Sequence, residues 1–157
     1  MGSRSKTNLA YIAGFLDGDG SLMIQIKKRS DSKSGKRFML TICFYQDSRH
    51  EKPLFWIREI LGIGYVSRRN DGMTELRING YRQVGGILKE LMPFLKFKKV
   101  QAQALVEAAD LLSKHPSLDQ KILTELVDKI IVVQSQNYVT RKKRSKEELL
   151  RVLGLTP

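Results

Sequence analysis

Two segments of alternating polarity constrain the fold more than any other feature of this sequence. From Ser21 to Arg29 the apolar side chains fall on every second residue, and the stretch from Arg37 to Gln46 repeats that pattern. A period of two residues is typical of a β-strand with one buried and one solvated face. The polar residues 30–36 between the two segments predict a turn. We therefore expect a β-hairpin whose outer face is basic.

A second hairpin is predicted at residues 65–79, where Asn70-Asp71-Gly72 supplies the turn. Helical patterns precede and follow the hairpins, at residues 8–17, 50–61, 81–91, 97–114, 117–136 and from Ser145 to Gly154. Asn8 and Ser117 are the expected N-caps of the first and fifth helices. The order α-β-β-α-β-β-α followed by extra helices predicts an α+β fold, a four-stranded antiparallel sheet with helices on one face.

The chain has 157 residues, enough for one domain with a hydrophobic core. We expect residues 8–157 to form that domain, and residues 1–7 to be a flexible N-terminus or a cloning scar. No apolar run reaches the roughly 18 residues that a membrane span needs, so we expect no membrane-spanning segment and no partner within a membrane. The single cysteine excludes an intrachain disulfide.

Positive charge dominates the composition, with 28 Lys and Arg against 16 Asp and Glu and a net charge of +12. Folding alone does not require this excess, because like charges repel one another in the compact state. A polyanionic partner would offset it, and DNA, RNA and anionic membranes are all candidates. Basic ribosome-associated proteins carry similar charge, so composition by itself leaves the kind of partner open.

The outer face of the predicted sheet mixes basic, amide and hydroxyl side chains. A β-ribbon of this kind fits the DNA major groove, where Arg recognises guanine and Gln recognises adenine. The predicted DNA contacts are Gln25, Lys27, Arg29, Arg37, Met39, Thr41, Cys43, Ser67, Arg69, Glu75 and Arg77. A basic run near the C-terminus would bind phosphates through Tyr138, Thr140, Lys142 and Lys143. A solvated sheet face and a solvated loop are the alternatives for these two groups.

Residues 9–21 read Leu-Ala-Tyr-Ile-Ala-Gly-Phe-Leu-Asp-Gly-Asp-Gly-Ser, an almost wholly apolar helix that ends in two aspartates between glycines. An EF-hand loop starting at Asp17 is excluded, because Leu22 and Lys28 occupy the positions that need Gly and Glu. A plain Asp-Gly turn after a core helix is the simplest alternative. The helix also carries small residues that would let a second backbone approach closely, namely Ala10, Ala13 and Gly14.

This segment resembles the signature of the LAGLIDADG homing endonucleases, above all over Ala-Gly-Phe-Leu-Asp-Gly-Asp-Gly-Ser. The predicted element order is similar, as are residues 63–66 and 93–98. The chain has one copy of the motif, like the homodimeric members encoded by group I introns in chloroplasts and mitochondria. The resemblance implies a homodimer in one of those organelles that cuts a long pseudo-palindromic DNA site and so promotes intron homing.

The resemblance also implies a set of site residues. The last acidic residue of the family's motif binds the metal, with help from the preceding carbonyl, which gives Asp19 and Gly18 here. Mg²⁺ is the expected ion, because it favours oxygen ligands and retains waters, and Mn²⁺ would substitute for it. The motif helices of two protomers would pair through Ala10, Ala13 and Gly14, and Asp17 would stabilise the helix end or the dimer interface.

Polar residues around the metal would orient the attacking water and offset charge, and the matching positions are Gln46, His50 and Lys98. Relatives can carry Arg where this chain has Arg49-His50, so either of these two residues is a candidate. A different class of function, a non-cleaving nucleic-acid binder or an intron-splicing maturase on the same fold, would share the sheet and the charge. It would not need Asp19, Gln46 and Lys98, and their presence favours cleavage.

Overall fold

The computed structural model describes residues 3–31, 35–137 and 143–155. The elements are α1 (Lys6–Asp19), β1 (Gly20–Lys28), β2 (Lys36–Asp47), α2 (Lys52–Leu61), β3 (Tyr65–Arg68), β4 (Met73–Asn79), α3 (Tyr81–Leu91), α4 (Lys99–Lys114), α5 (Gln120–Gln136) and α6 (Lys146–Val152). Short 3₁₀ turns span Ser48–His50 and Met92–Phe94. The predicted α-β-β-α-β-β-α order with additional C-terminal helices is confirmed.

The four strands form one antiparallel sheet in the order β1-β2-β4-β3. Leu22 lies opposite Ile42, and Ile42 lies opposite Ile78, so apolar residues of three strands share one face. On the other face Lys27 is opposite Arg37, and Ser67 is opposite Glu75. Because directly paired residues project to the same side of a sheet, this register confirms the two faces that alternation predicted.

The apolar face of the sheet packs against α1, α3 and α4 to form the core. Leu16, Leu22, Ile42 and Phe44 are fully buried in it. Fully burying a side chain of this size contributes roughly 1.5–3 kcal/mol, so these residues hold α1 firmly on the sheet. Helices α3 and α4 approach closely at Gly85, where a Cβ would lie 2.8 Å from that of Ala109.

Helix boundaries differ from the sequence prediction where a second capping residue was available. Helix α1 begins at Lys6 because the Ser5 side chain, not that of Asn8, accepts the N-terminal hydrogen bond, from the Asn8 amide at 3.2 Å. Helix α5 begins at Gln120 because Asp119 accepts from the Ile122 amide at 2.9 Å, so the predicted cap at Ser117 is wrong. Within the described ranges, no helix combines the length and apolarity needed to cross a membrane.

Candidate active site and DNA-binding surface

The chain passes from α1 to β1 without a loop, and Gly20 makes this junction possible. A Cβ at Gly20 would lie 2.5 Å from Leu16 Cδ1 and 3.0 Å from the Cys43 carbonyl oxygen. Only glycine fits such an approach without displacing the backbone. Asp19, the last residue of α1, is therefore held where the motif helix meets the sheet.

Asp19 is exposed, and it makes no hydrogen bond or ion pair with another residue that the structure describes. Its neighbour Gly18 is also exposed, with open space where a side chain would be. Among residues 3–31, 35–137 and 143–155, no cluster of three or more His, Cys, Asp or Glu side chains forms a metal cage. A free carboxylate beside an accessible backbone suits Mg²⁺, which accepts one or two protein carboxylates and keeps most of its waters.

Lys98 lies against the last turn of α1, close to Asp19. Its Nζ donates a hydrogen bond to the Asp17 carbonyl oxygen at 2.8 Å. Burial lowers the pKa of the Lys98 ammonium, while the negative charges of Asp17 and Asp19 act in the opposite direction. The structure therefore brings two of the predicted catalytic residues, Asp19 and Lys98, into one electrostatic environment.

Asp17, near the end of α1, is bonded to the segment that precedes α4. Its carboxylate accepts hydrogen bonds from the main-chain amides of Lys96, at 2.7 Å, and Lys98, at 3.0 Å. Both oxygens thus accept hydrogen bonds inside the protomer and link the end of α1 to residues 96–98, while a contact of this side chain with a partner helix stays a prediction. The sequence carried no signal for the contact, because the bonded residues are about 80 positions apart along the chain.

Gln46 lies near the end of β2, opposite Thr74, on the helix-covered side of the sheet. Because Phe44 pairs with Gly20, Gln46 is at the same end of the sheet as Asp19. Its Oε1 accepts a hydrogen bond from the Asp47 amide at 2.9 Å. The structure thus places Gln46 at the end of the sheet where α1 joins β1, apart from the residues of the solvated face.

The Arg49-His50 pair follows in the 3₁₀ turn, and its two members differ in their contacts. The Arg49 guanidinium pairs with the Asp47 carboxylate, with Nη2 2.8 Å from Oδ2 and Nε 3.0 Å from Oδ1. This pairing lowers the pKa of Asp47 below its ordinary range. His50 is exposed and has no hydrogen bond to any of the residues described. Of the two, His50 is the side chain available to a ligand.

The solvated face of the sheet contains the predicted DNA contacts in one continuous surface. Exposed or half-buried members are Gln25, Lys27, Arg29, Arg37, Met39, Ser67, Arg69, Glu75 and Arg77. Lys143 is exposed, whereas Tyr138, Thr140 and Lys142 lie outside the described residues. Tyr45, Tyr65 and Asn79 belong to the same surface and were not predicted as contacts, although their alternation within the strands was a sufficient signal.

Thr41 and Cys43 project from this face but are 0% exposed, so the prediction that they contact DNA directly is wrong. Both lie on β2, which has a strand on either side, and longer neighbouring side chains cover them. The Thr41 hydroxyl donates to Asn79 Oδ1 at 2.7 Å, and the Cys43 Sγ is 3.8 Å from Glu75 Oε2. Burial raises the pKa of the Cys43 thiol to about 11, so it is neutral at physiological pH.

Glu75 is the acidic centre of the surface. Its Oε1 is 3.3 Å from Arg77 Nε, and its Oε2 is 3.9 Å from Arg69 Nη1. The Glu75 side chain is only 13% exposed, whereas that of Arg69 is 47% exposed. The carboxylate therefore lies beneath the two guanidinium groups, which project above it.

The free face of α1 also differs from the predicted one. Ala13 is 0% exposed and packs in the core of its own protomer, so its predicted contact with a partner helix is wrong. Ala10 is half-buried, while Tyr11 is 59% exposed. At Gly14 no atom lies within 4 Å of a Cβ position, and Gly18 is equally open. Tyr11, Gly14 and Gly18 recur at intervals of three and four residues, the spacing of one helix face.

The family model described as LAGLIDADG endonuclease matches residues 12–108. The chain belongs to this family. The match includes Asp19, Gln46 and Lys98 and all four strands, so the predicted catalytic residues of this LAGLIDADG chain lie inside the shared region, whereas the basic run near the C-terminus lies outside it.

Individual relatives match almost the whole length of the chain. DNA endonuclease I-CvuI of Chlorella vulgaris is 31% identical over 149 residues, covering 92% of this LAGLIDADG chain and 91% of the relative. DNA endonuclease I-CreI of Chlamydomonas reinhardtii is 28% identical, covering 95% and 90%. A crystal structure of I-CvuI in complex with the I-CreI target in the presence of Mg superposes with a TM-score of 0.83 at 27% identity, over 97% of this chain and 98% of the other.

Proposed function

We propose that the protein is a homodimeric, metal-dependent DNA endonuclease that makes double-strand breaks at a long pseudo-palindromic site and promotes intron homing. The observation that carries the proposal is the unpaired Asp19 carboxylate, exposed at the junction of the motif helix with the sheet, with Lys98 beside it. The names of I-CvuI and I-CreI as DNA endonucleases support the same activity.

A homodimer follows from counting the groups that cleavage needs. One chain offers one Asp19, but two DNA strands must be cut. Pairing the open faces of two α1 helices, through Gly14 and Gly18, would bring two Asp19 carboxylates to the two-fold axis. Such a contact is isologous, so the sheets of the two protomers would meet the two halves of a pseudo-palindromic site.

Asp19 and the Gly18 carbonyl would hold Mg²⁺, or Mn²⁺ in its place. The ion would supply an activated water and stabilise the leaving oxygen of the phosphodiester. The Lys98 ammonium would offset the negative charge that develops on the phosphate. Gln46 and His50 would hydrogen-bond the attacking water and fix its direction. The roles of the four side chains can each be tested by substituting the residue.

The sheet face would occupy the major groove, with side chains from all four strands. The proposed contacts are Gln25, Lys27, Arg29, Arg37, Met39, Ser67, Arg69, Glu75 and Arg77. Beyond the sheet, Tyr138, Thr140, Lys142 and Lys143 would bind phosphates. The relatives come from Chlorella vulgaris and Chlamydomonas reinhardtii, and we propose an organellar setting, chloroplast or mitochondrion.

The test is cleavage of a randomised pool of long pseudo-palindromic duplexes, with Mg²⁺ and with EDTA. Double-strand cuts at a recoverable site, present with Mg²⁺ and absent with EDTA, are expected. Tight binding to selected duplexes without a cut, in either Mg²⁺ or Mn²⁺, would instead identify a nucleic-acid binder or maturase.

The variant Asp19→Asn tests the metal-ligand role on the recovered site. We expect cleavage to fall below detection while the Kd for DNA changes little, because Asp19 lies at the edge of the binding surface and carries no contact within the fold. Kd is measured with Ca²⁺ present, and cleavage with Mg²⁺. A variant that loses binding together with cleavage would contradict the assignment.

A further inference from the structure

We propose that Asp17 is a positioning residue, which fixes Lys98 beside Asp19 and acts on catalysis only through Lys98. The proposal rests on the endonuclease function argued above. It gives the two aspartates of the motif different tasks, since Asp19 faces the substrate and Asp17 faces the protein.

The contact consists of three hydrogen bonds between the last turn of α1 and the segment 96–98. The two oxygens of the Asp17 carboxylate accept separately, from the amides of Lys96 at 2.7 Å and Lys98 at 3.0 Å. In return, Lys98 Nζ donates to the Asp17 carbonyl oxygen at 2.8 Å. Backbone and side chain of Lys98 are thus both bonded to one residue, two positions before Asp19.

Besides the contact with Asp17, the segment 96–98 is held by a hydrogen bond from the Ala102 amide to the Lys98 carbonyl oxygen at 2.9 Å. Phe97 is 75% exposed and Lys96 is exposed, so neither side chain anchors the segment in the core. Leu95 before it and Ala102 after it are fully buried, and they fix only its ends. The carboxylate supplies an acceptor for two main-chain amides, that of the N-cap residue Lys98, which has no intrahelical partner, and that of Lys96 in the bend before it.

The location also suits a negative charge. Helix α4 begins at Lys99, so the Asp17 carboxylate lies at the N-terminus of a helix of 16 residues, where the helix dipole favours an anion. An asparagine at position 17 would keep one acceptor oxygen and turn an NH₂ group toward the second amide. One of the two hydrogen bonds from the main-chain amides would then be lost, and two donors would face each other in its place.

The first test is a double-mutant cycle on the recovered DNA site, with the single-turnover cleavage rate and the Kd measured for each homodimer. We expect Asp17→Asn to lower the rate on the order of 10- to 100-fold, because a displacement of about 1 Å has effects of that size. The Kd should stay within about 3-fold, since Asp17 faces the protein. In a Lys98→Met background, Asp17→Asn should cause no further loss of rate. Equal losses in both backgrounds would overturn the proposal, because independent residues contribute additively.

Asp119→Asn is a matched control, since Asp119 also accepts a main-chain amide at a helix N-terminus, from Ile122 at 2.9 Å. It should leave the cleavage rate unchanged, and a loss equal to that of Asp17→Asn would mean a general effect of weakened capping.

Amide hydrogen exchange measured by NMR tests the positioning without any cleavage. The Lys96 and Lys98 amides should exchange faster in Asp17→Asn than in the parent protein, and unchanged exchange would overturn the proposal. If the parent protein cleaved no duplex, the proposed function would fail, while the exchange result would still decide whether Asp17 fixes the segment.

Discussion

At the residue scale, Glu75 shows how an acid can serve a surface that is proposed to contact a polyanion. Its carboxylate is nearly buried under Arg69 and Arg77, at 3.9 Å and 3.3 Å. A paired guanidinium loses fewer rotamers on binding, and its fork remains aimed in one direction. Besides its proposed contact with DNA, Glu75 therefore orients the neighbouring arginines.

This reasoning predicts that Glu75→Gln relaxes specificity while preserving cleavage of the best site. Without the carboxylate, Arg77 gains rotamers, whereas Arg69 stays paired with Asp71 Oδ2 at 2.8 Å. Discrimination at the base that Arg77 contacts should therefore fall by about 1 kcal/mol or more. The measurement is the relative cleavage of a library with every single-base change in the half-site. Glu59→Gln, on the exposed surface of α2, is the control. A uniform loss at all positions would argue against an orienting role.

At the element scale, α1 has three roles. It packs in the core, it joins directly to β1, and one of its faces is free. Leu16 and Ile12 are buried on one side, whereas Gly14 on the other side has open space around it. A larger residue at position 14 can therefore be accommodated within the protomer. The same residue would hold two α1 helices apart if they pair across a two-fold axis.

We accordingly expect Gly14→Leu to fold normally and to be monomeric, with loss of double-strand cleavage. Gly86→Leu is the matched control, because Gly86 is also an exposed helical glycine, in α3, with nothing within 4 Å of its Cβ position. Both variants are compared by sedimentation velocity and thermal unfolding. A Gly14→Leu protein that remains a dimer would place the interface elsewhere.

The elements also show which properties could be predicted from the sequence. Strand faces follow from a period of two, which depends on neighbouring residues alone, and the register agrees at Leu22 and Ile42. The burial of Thr41 and Cys43 depends on side chains from adjacent strands, so alternation could not predict it. Helix starts were wrong where two capping residues competed, as at Ser117 and Asp119.

In the candidate site, too, some features could be predicted from the sequence and others could not. Asp19 could be identified from the motif directly, because the residue types and their spacing all lie within one short segment of the chain. The hydrogen bonds from Lys96 and Lys98 to Asp17 form only once α1 and the start of α4 have packed together. Contacts between such distant segments follow from tertiary structure and have no local signature.

At the scale of the whole molecule, the net charge of +12 doubles to +24 in the proposed homodimer. We expect the Kd for DNA to rise steeply with salt, because each neutralised phosphate adds roughly 0.9 to the slope of log Kd against log salt concentration. Lys143→Gln should reduce that slope by about 2 if the Lys143 of each protomer binds a phosphate, because the substitution removes two contacts from the homodimer. Fluorescence anisotropy over a salt series measures both. A flat salt response would argue against a DNA interface.

The pleat of the sheet has a consequence for how this protein changes over generations. Side chains such as Gln25 and Arg37 project away from the core, so exchanging them removes no buried apolar surface. If these side chains contact DNA as proposed, such exchanges alter the preferred target at little cost to folding. Residues of α1, in contrast, are constrained both by their packing in the core and by the proposed cleavage chemistry. Proteins of this kind can therefore acquire new target sites through substitutions on one face of the sheet, while the residues proposed to cut DNA stay unchanged.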